Sequence, residues 1–368
     1  MWSSWYLTVK IFVLTDIPSP YQTEIFNEIA SDSCELHVGY LRGADPSRRW
    51  SEVKINHEST ALDAGSDKLS QVTKVVRDAD FAVFNYYRHP HAEKLIYQRA
   101  NEQRPWCFWG ERPGFRKPEW VGRVLRHWKL KPLRLSTAPI WCIGRFAVDQ
   151  YKREFGSRRT YLNLPYFSDL DRFQVDTPGI NGAKRDRVFL FSGALTRRKG
   201  VDVLARAFEQ LAREERNVML RILGDGPLRK DLETILAPVA DRVQFVGFKD
   251  WSELPKQYAT ADVLCVPSRY DGWGLVVPEG LAAGLPVIAT DRMGSALEFI
   301  RTGYNGWTVR AGSLSDLMNA MRQAVSLSVE DLSLLSANAR ESVRDHTLQH
   351  GAQRFVQYAN EAVANWRS

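Results

Sequence analysis

The chain has 368 residues, of which 44% are hydrophobic and 25% charged, and its formal net charge is +7. This composition is that of a globular protein and excludes a disordered or collagen-like chain. The sequence contains no run of about 18 apolar residues, the length needed to span a membrane. Its aromatic start lacks the basic region of a signal peptide. The four cysteines lie outside any Cys-x-x-Cys pair, which indicates reduced structural thiols. We therefore expect a soluble, intracellular protein of about two domains.

The first half of the chain alternates short apolar runs with helical patterns. A buried strand is predicted over Val9 to Asp16, and further strands are predicted at "CELHVGYL", "DFAVFNYY" and "PWCFWGE". Helical patterns such as "PHAEKLIYQRANEQ" separate several of them. This alternation is typical of a parallel sheet covered by helices.

The second half repeats this design. Strands are predicted at "RVFLFSGAL", "VMLRILGDG", "VQFVGF", "DVLCVPS" and "LPVIATD". The fold class is therefore predicted as α/β, with two Rossmann-like doubly wound domains facing a cleft. We expect an N-terminal domain over 1–175, a linker over 176–187 and a C-terminal domain over 188–350. The final helix, 351–368, is expected to pack back on the N-terminal domain.

Segments that follow strands in the second half have features of a phosphate site. Arg197, Arg198 and Lys199 lie between Gly193 and a predicted helix, where cations favour a phosphate. A solvated basic loop would have the same composition. Gly224 follows the next strand, and it allows either a close approach of a nucleotide or a plain tight turn.

The stretch "SRYDGWGLVVPEG" is more specific. It holds two carboxylates, Asp271 and Glu279, and a helix predicted from Leu275 would leave main-chain N–H groups before it unpaired. Carboxylates accept hydrogen bonds from sugar hydroxyls, and glycines let a ligand approach the main chain. A ligand with a diphosphate and sugar rings would use all these groups, whereas the alternative is a capping Asp and a surface Glu. The candidate donor-binding residues here are Gly272, Trp273, Gly274, Leu275, Val276 and Glu279.

The order of these segments resembles that of retaining glycosyltransferases of family 4, glycosyl transferases group 1, which have the GT-B architecture. The resemblance runs through "FSGAL…RKG", "ILGDGP", "VQFVGF", "ADVLCVPSRYDGWGLVVPEGLAAGLPVIATD" and "GYNGW". Asp271-x7-Glu279 stands where the family has an E-x7-E motif. The first half resembles the family more loosely, through "IPSPYQTEIFNEI", "PWCFWGERP" and "LPYFSDLDRF".

The resemblance implies that the N-terminal domain, 1–175, binds the acceptor and that the C-terminal domain, 188–350, binds the nucleotide sugar. It also implies a role for each matching residue. Lys199, with Arg198 as the second cation, would neutralise the donor diphosphate, and Glu279 would hold the ribose. Asp271 would contact the transferred sugar, and it stands as a candidate catalytic residue with Lys199, Arg198 and Glu111. The main chain of 272–276 would support the sugar and phosphates. The base would lie beside two residues after the "VQFVGF" strand, Val246 and Phe248.

The activity implied is a retaining, metal-independent transfer of a sugar from a UDP- or GDP-sugar to a saccharide or lipid-linked acceptor, in polysaccharide or glycolipid synthesis. No cofactor beyond this nucleotide-sugar co-substrate and no metal is implied. Asp271 is shorter than the family's glutamate, and Ala194 stands where many members have arginine. These departures leave a non-catalytic binding or assembly subunit as the alternative.

Polar residues near strand ends of the first half are candidates for the acceptor side. Glu111 ends the strand "PWCFWG", where many family members place a histidine; it could equally pair with Arg112 or Arg116. His89 and His91 follow another strand and are candidate acceptor-binding residues, although a loop histidine is more often structural or exposed.

The positive charge is concentrated in one part of the chain. Residues 101–200 hold 21 lysines and arginines against 9 acidic residues. Within them, 112–134 reads as a basic amphipathic stretch with tryptophans, which suits an anionic membrane surface or another polyanion. An ordinary packed helix with a solvated basic face is the alternative. No nucleic-acid-binding module is recognised, so nucleic acid is not an expected partner. The resemblance implies a lipid-linked or membrane-assembled acceptor, so the expected location is cytoplasmic, peripheral on the inner membrane face.

Overall fold

The computed structural model describes residues 9–31, 34–45, 54–65, 67–113, 119–174 and 186–367. The chain folds into two compact units, Met1–Asp169 with Thr347–Ser368, and Leu170–His346. Of the expected linker, residues 176–185 lie outside the described residues.

The first unit contains a seven-stranded parallel sheet. Its strands are β1 (Val9–Thr15), β2 (Cys34–Tyr40), β3 (Glu58–Ala61), β4 (Phe81–Phe84), β5 (Trp106–Glu111), β6 (Ile140–Ile143) and β7 (Tyr161–Asn163). The strand order is β3-β2-β1-β4-β5-β6-β7. Strands β4 and β6 are buried along their whole length, which explains their unbroken apolar sequences.

Helices separate most of these strands along the chain. They are α1 (Pro20–Ser31), α2 (Lys68–Asp78), α3 (Pro90–Asn101), α4 (Glu119–Lys129), α5 (Lys131–Arg134) and α6 (Arg145–Phe155). A polar network joins the carboxyl ends of β1 and β4, because Gln22 of α1 donates to both Thr15 and Asn85, each at 3.1 Å. The network fixes the edge of the sheet at which the chain reverses its direction of winding.

The second unit contains a six-stranded sheet. Its strands are β8 (Arg187–Ser192), β9 (Val218–Leu223), β10 (Val243–Gly247), β11 (Val263–Val266), β12 (Val287–Thr290) and β13 (Gly306–Val309). They pair in the order β10-β9-β8-β11-β12-β13, and every pairing is parallel. Both sheets thus have the doubly wound order in which the first strand is central, so the predicted α/β class with two Rossmann-like domains is confirmed.

The helices of the second unit are α7 (Val201–Glu214), α8 (Arg229–Leu236), α9 (Leu254–Tyr258), α10 (Val276–Ala282), α11 (Gly294–Phe299), α12 (Leu314–Ser326) and α13 (Val329–Ser342). Helix α7 shows why they form. Its apolar positions recur at helical spacing and are buried against the sheet, whereas Arg206 and Arg213 are exposed.

The last helix, α14 (Leu348–Arg367), belongs to the first unit. Phe355 packs edge-on against Trp109 and Trp141, with ring centroids 5.9 and 5.0 Å away. Gly351 lies so close to Phe167 that an added Cβ would be 2.6 Å from its ring. All four cysteines are buried free thiols, in agreement with the structural role expected from their spacing.

A buried histidine holds the end of β2 to α1. His57 Nδ1 lies 2.7 Å from the side-chain oxygen of Asn27, and Tyr40 Oη lies 2.8 Å from Nε2. Burial, aided by the nearby charge of His37, lowers the pKa of His57 to about 4. The neutral imidazole, which donates through one nitrogen and accepts through the other, is therefore the folded-state form.

We expect this histidine to make folding pH-dependent. Since the folded pKa is below the unfolded value of about 6.5, its contribution is complete above that value and is lost as the pH falls towards 4, by about 3 kcal/mol in all. Urea unfolding at pH 7, 5 and 4 should show a smaller loss of unfolding free energy in His57→Gln than in the wild type. The exposed His350 provides a control, since His350→Gln should keep the wild-type profile. A wild-type profile in His57→Gln would contradict the assignment.

Candidate functional site

The candidate site lies at the carboxyl edge of the second sheet, where β8 and β11 are neighbours. The chain leaves β8 through residues 193–200 and leaves β11 through 267–276. Because both strands end at the same edge, these segments meet although they are far apart in sequence. The arrangement brings together most of the residues that the sequence nominates.

Two glycines let the turns pack in direct contact. Gly200 has φ +69°, and a Cβ there would be 1.9 Å from the carbonyl oxygen of Pro267. Gly224 has φ +130°, and a Cβ there would be 2.0 Å from the carbonyl oxygen of Gly193. No side chain fits at either position, so packing of the turns alone is enough to require glycine there.

A short 3₁₀ helix, Arg197–Lys199, presents two cations to one carboxylate. Lys199 Nζ lies 2.7 Å from Asp271 Oδ2, and Arg198 Nη1 lies 3.3 Å from the same oxygen. Arg197 is exposed, while its carbonyl oxygen accepts a bond from Arg269. Of the two arginines that could act beside Lys199, the structure therefore places Arg198 at the carboxylate.

The charge state of Asp271 follows from these neighbours. Burial alone would raise the pKa of this carboxyl, but the charges of Lys199 and Arg198 and the hydrogen bonds from them outweigh burial and hold the pKa below its usual range. Asp271 is thus a carboxylate at neutral pH, and its negative charge is shared by two cations.

The loop after Asp271 exposes main-chain donors. Ser295 Oγ donates to the carbonyl oxygens of Trp273 and Gly274, each at 2.7 Å. In the described part of the chain, no acceptor is bonded to the N–H groups of residues 272–276. The carbonyl groups are thus engaged while these N–H groups stay available, as the sequence predicts.

The side chain of Trp273 has a different place from its main chain. The indole is buried against Phe299 and His346, with ring centroids 5.8 and 6.2 Å away. Only the main chain of Trp273 can face a ligand, whereas Leu275 and Val276 are half-buried. The large side chain anchors the loop in the core.

Glu279 lies on α10 beside a residue that the sequence did not single out. The buried hydroxyl of Tyr258 donates to Glu279 Oε2 at 3.3 Å. Burial raises the pKa of Tyr258 well above its usual value, and the charge of Glu279 adds to the shift. Tyr258 thus positions the carboxylate; in the sequence it reads only as an apolar position of a short helix.

Val246 and Phe248 lie at the carboxyl end of β10. Val246 is half-buried and Phe248 is exposed. The main-chain N–H of Gly224 donates to the carbonyl oxygen of Gly247 at 2.8 Å, which holds this strand end to that of β9. An exposed aromatic ring here is available for stacking.

In the first unit, Glu111 ends β5. Its main-chain carbonyl accepts a bond from Tyr151 Oη at 2.9 Å, and its side chain is exposed. Burial raises the pKa of Tyr166 well above its usual value, and the charge of Glu111 contributes, so this carboxylate lies near Tyr166. Of the alternative partners, Arg116 lies outside the described residues.

His89 and His91 begin α3. His89 Nδ1 accepts from the main-chain N–H of His91 at 3.2 Å, so His89 is the N-cap of the helix. Burial, and next the neighbouring His91, lower the pKa of His89. This capping contact gives His89 a structural role and leaves only its Nε2 for a ligand.

A nearby ion pair was missed by the sequence reading. Asp16, directly after β1, accepts two bonds from Arg42, at 3.1 and 2.7 Å. The charges of both influence His89. The signal was a charged residue placed immediately after a buried strand, which is where ligands of open α/β sheets bind.

The basic amphipathic stretch, 112–134, includes α4, while 114–118 lie outside the described residues. Large apolar side chains of α4 are exposed, with Trp120 at 69% and Trp128 at 65%, whereas Leu130 and Leu133 further along the stretch are buried. One basic residue of the stretch, Arg126, is not solvated: it is buried and pairs with Glu154 at 2.8 Å. Because its guanidinium pairs with Glu154 and so holds α4 to α6, Arg126 is not available to a ligand at the surface. The exposed large apolar side chains of α4 are Trp120, Val124, Leu125 and Trp128, here called the α4 apolar face.

Among the described residues, no group of three or more His, Cys, Asp or Glu residues could hold a metal ion. None of the helices that the structure describes is both long enough and apolar enough to cross a membrane.

The sequence of residues 176–342 matches the model of the glycosyl transferases group 1 family. These residues, called the group 1 domain below, belong to this family. The group 1 domain therefore contains Lys199, Asp271 and Glu279, and it ends shortly before the second unit does.

Curated relatives of this chain are named glycosyltransferases. A GDP-mannose-dependent alpha-(1-6)-phosphatidylinositol monomannoside mannosyltransferase of Mycolicibacterium smegmatis is 30% identical over 210 residues, which cover 51% of this chain and 54% of that protein. The chain spans about half the length, or less, of the curated relatives that it matches.

Solved structures resemble the whole chain. Anabaena HepE in complex with UDP has a TM-score of 0.76 at 17% identity, covering 96% of this chain and 100% of that one. Sucrose-phosphate synthase from Thermosynechococcus elongatus has a TM-score of 0.76 at 19% identity, covering 97% and 100%. At these identities the likeness shows the fold, the GT-B type with two Rossmann-like domains.

The contact between Gly224 and Gly193 can be tested against a glycine without such a contact. Gly247 also has positive φ, +80°, but an added Cβ there meets no atom within 4 Å. We expect Gly247→Ala to lower the unfolding free energy by about 1 kcal/mol, from backbone strain alone. Gly224→Ala should lower it by about 3 kcal/mol or more, because its Cβ collides with main chain. Equal losses in urea unfolding would contradict the close packing of the two turns.

Proposed function

We propose that the chain is a retaining, metal-independent glycosyltransferase that moves a sugar from a UDP- or GDP-sugar to a saccharide or lipid-linked saccharide acceptor. The observation that carries the proposal is the pair of cations, Arg198 and Lys199, beside Asp271 and the unbonded N–H groups of 272–276. Cations and main-chain donors together suit a diphosphate, and a carboxylate beside them suits sugar hydroxyls.

The leaving group explains why cations are needed. When the bond between the anomeric carbon and the phosphate oxygen breaks, negative charge develops on the diphosphate. Lys199 and Arg198 are held in place before the reaction, so they would stabilise this charge with little reorganisation. In this proposal, side chains of the protein itself supply the positive charge.

The remaining donor contacts follow from the strand ends. Glu279, positioned by Tyr258, would accept hydrogen bonds from the ribose hydroxyls. The exposed ring of Phe248, with Val246, would lie against the base. Asp271 would accept from hydroxyls of the transferred sugar, which the glycines at 272 and 274 allow to approach closely.

The reaction balances without a further reactant. The acceptor hydroxyl oxygen forms a bond to the anomeric carbon as the bond to the diphosphate breaks. The hydroxyl proton leaves, and the products are a nucleoside diphosphate and the lengthened acceptor. Retention means that the new bond has the same anomeric configuration as the donor.

The donor and acceptor classes are supported by the relatives. The Mycolicibacterium relative is named for GDP-mannose and a phosphatidylinositol mannoside, and Anabaena HepE was solved with UDP. For the acceptor we propose the carboxyl edge of the first sheet. Glu111 is the first candidate there, followed by His91 and the free nitrogen of His89.

Removal of one charge should separate donor binding from folding. We expect Lys199→Met to weaken nucleotide-sugar binding by roughly 10- to 100-fold, the range of a hydrogen bond between charged groups. Glu279→Gln should weaken it by roughly tenfold through the ribose. A panel of UDP- and GDP-sugars, followed by thermal shift and calorimetry, identifies the donor, because binding raises the melting temperature.

The control is Lys230→Met, since Lys230 is an exposed lysine on α8. It should bind the donor as the wild type does. Wild-type binding by both site variants, with nucleotide-sugar hydrolysis unchanged, would refute the site. Binding without any hydrolysis or transfer would favour a non-catalytic binding subunit.

We further propose that the protein binds an anionic membrane surface from the cytoplasmic side through the α4 apolar face. Arg123, Lys131 and Arg134 are exposed beside this face, while the buried pair of Arg126 and Glu154 holds α4 from its opposite side. Apolar side chains that enter the headgroup region, with cations next to them, suit anionic lipids. A lipid-linked acceptor would be reached at such a surface.

Vesicle binding tests this surface. We expect the wild type to co-sediment with vesicles containing phosphatidylglycerol at low salt, and the variant with Trp120→Ser and Trp128→Ser to lose at least about tenfold in affinity, because two tryptophans leave the interface. Leu334→Ser, at an exposed apolar position of α13, should bind normally. Equal sedimentation with neutral vesicles, or none at all, would contradict the proposal.

A further inference from the structure

One oxygen atom of Asp271 holds both cations of the candidate donor site. Lys199 Nζ is 2.7 Å from Oδ2, and Arg198 Nη1 is 3.3 Å from it. The positive groups that would bind a diphosphate are therefore already neutralised in part by a side chain of the chain itself. A ligand that enters must compete with this carboxylate.

Main-chain contacts hold the segments that carry Asp271 and the two cations. Asp271 donates its main-chain N–H to Arg292 O at 3.0 Å, and Arg269 donates its own to Arg198 O at 2.8 Å. The close approach of Gly200 to Pro267 fixes the turn that carries the cations. Since both sides are held, the ion pairs follow from the fold rather than from two freely moving side chains.

We propose that Asp271 is an internal competitor for the diphosphate: it occupies Lys199 and Arg198 in the unliganded protein, and donor binding displaces it towards the transferred sugar. This inference rests on the proposed function, because it assumes that the ligand is a nucleotide sugar.

The charges favour such an exchange. A donor diphosphate carries one negative charge on each phosphate, which matches the two cations. If Asp271 stayed on them, the half-buried cluster would hold an excess of negative charge, which is costly away from water. Moving the carboxylate to sugar hydroxyls leaves both groups with suitable partners.

The carboxylate lies beside the glycine loop even while it contacts the cations. The Asp271 carboxyl carbon is 3.6 Å from where a Cβ of Gly274 would lie, in the loop that would receive the sugar. In the proposed exchange, rotation of the side chain would move Oδ2 off the cations while the main chain stays in place. A free nucleoside diphosphate lacks the sugar and would have to displace Asp271 without this new partner.

A near-isosteric substitution tests the exchange. With UDP and GDP as probes, Asp271→Asn should bind the preferred nucleoside diphosphate roughly tenfold more tightly than the wild type, because an amide competes poorly for the cations. The gain should be smaller for the nucleotide sugar, which loses its carboxylate contact. The rate of transfer or hydrolysis should fall by roughly 100-fold, because the sugar is no longer held.

The control is a carboxylate of similar burial that pairs with a different arginine. Asp202 bonds Arg269 at 2.7 and 2.8 Å, and its side chain is 18% exposed, against 16% for Asp271. Asp202→Asn should leave nucleoside diphosphate affinity unchanged. Asp271→Ser, measured in the same way, covers the case in which the asparagine variant fails to fold.

The outcomes separate two failures. If the wild type binds UDP or GDP and folded Asp271 variants bind it equally or more weakly, the internal competition is wrong while the proposed function stands. If neither the wild type nor any variant binds a nucleoside diphosphate or a nucleotide sugar, both fail. A similar gain in Asp202→Asn would also overturn the inference, because it would show a general effect of charge.

Discussion

The contact of Asp271 with Lys199 depends on a single pairing in the second sheet, that of β8 with β11. These residues are 72 positions apart in sequence. They meet because the two strands are parallel neighbours and the chain leaves both at the same edge. Gly200 then allows the turn after β8 to contact the turn after β11. Ser295 binds the carbonyl oxygens of Trp273 and Gly274 in the loop after Asp271. Strand order therefore brings together the cations and the carboxylate of the candidate site.

Helix α4 reverses the usual distribution of polar and apolar residues. A charged pair, Arg126 with Glu154, is buried beneath it, while two tryptophans are exposed. A buried ion pair contributes little net stability, but the loss of one partner is costly, so it fixes orientation more than it adds strength. This helix is therefore held in a defined position while its apolar side chains remain uncovered in the described structure.

Sequence patterns predicted nine of the thirteen described strands and missed β3, β6, β7 and β13. The order of motifs predicted which strand ends carry polar residues. Both signals are local, since a buried strand reads as an apolar run and a strand-end glycine follows directly. The partners of charged side chains were less predictable. Glu154 lies 28 positions from Arg126, and Tyr258 lies 21 from Glu279. The buried indole of Trp273 and the capping contact of His89 likewise depend on geometry that composition does not encode.

The division of the chain also has a consequence for how such proteins diversify. The first unit is assembled from both ends of the sequence, and the second is one uninterrupted segment, Leu170–His346. Such a segment can be replaced by joining the chain at two places, near Leu170 and near His346, without interrupting a strand of either sheet. Under the proposed function, donor and acceptor preferences would then belong to separate modules, each with its own hydrophobic core.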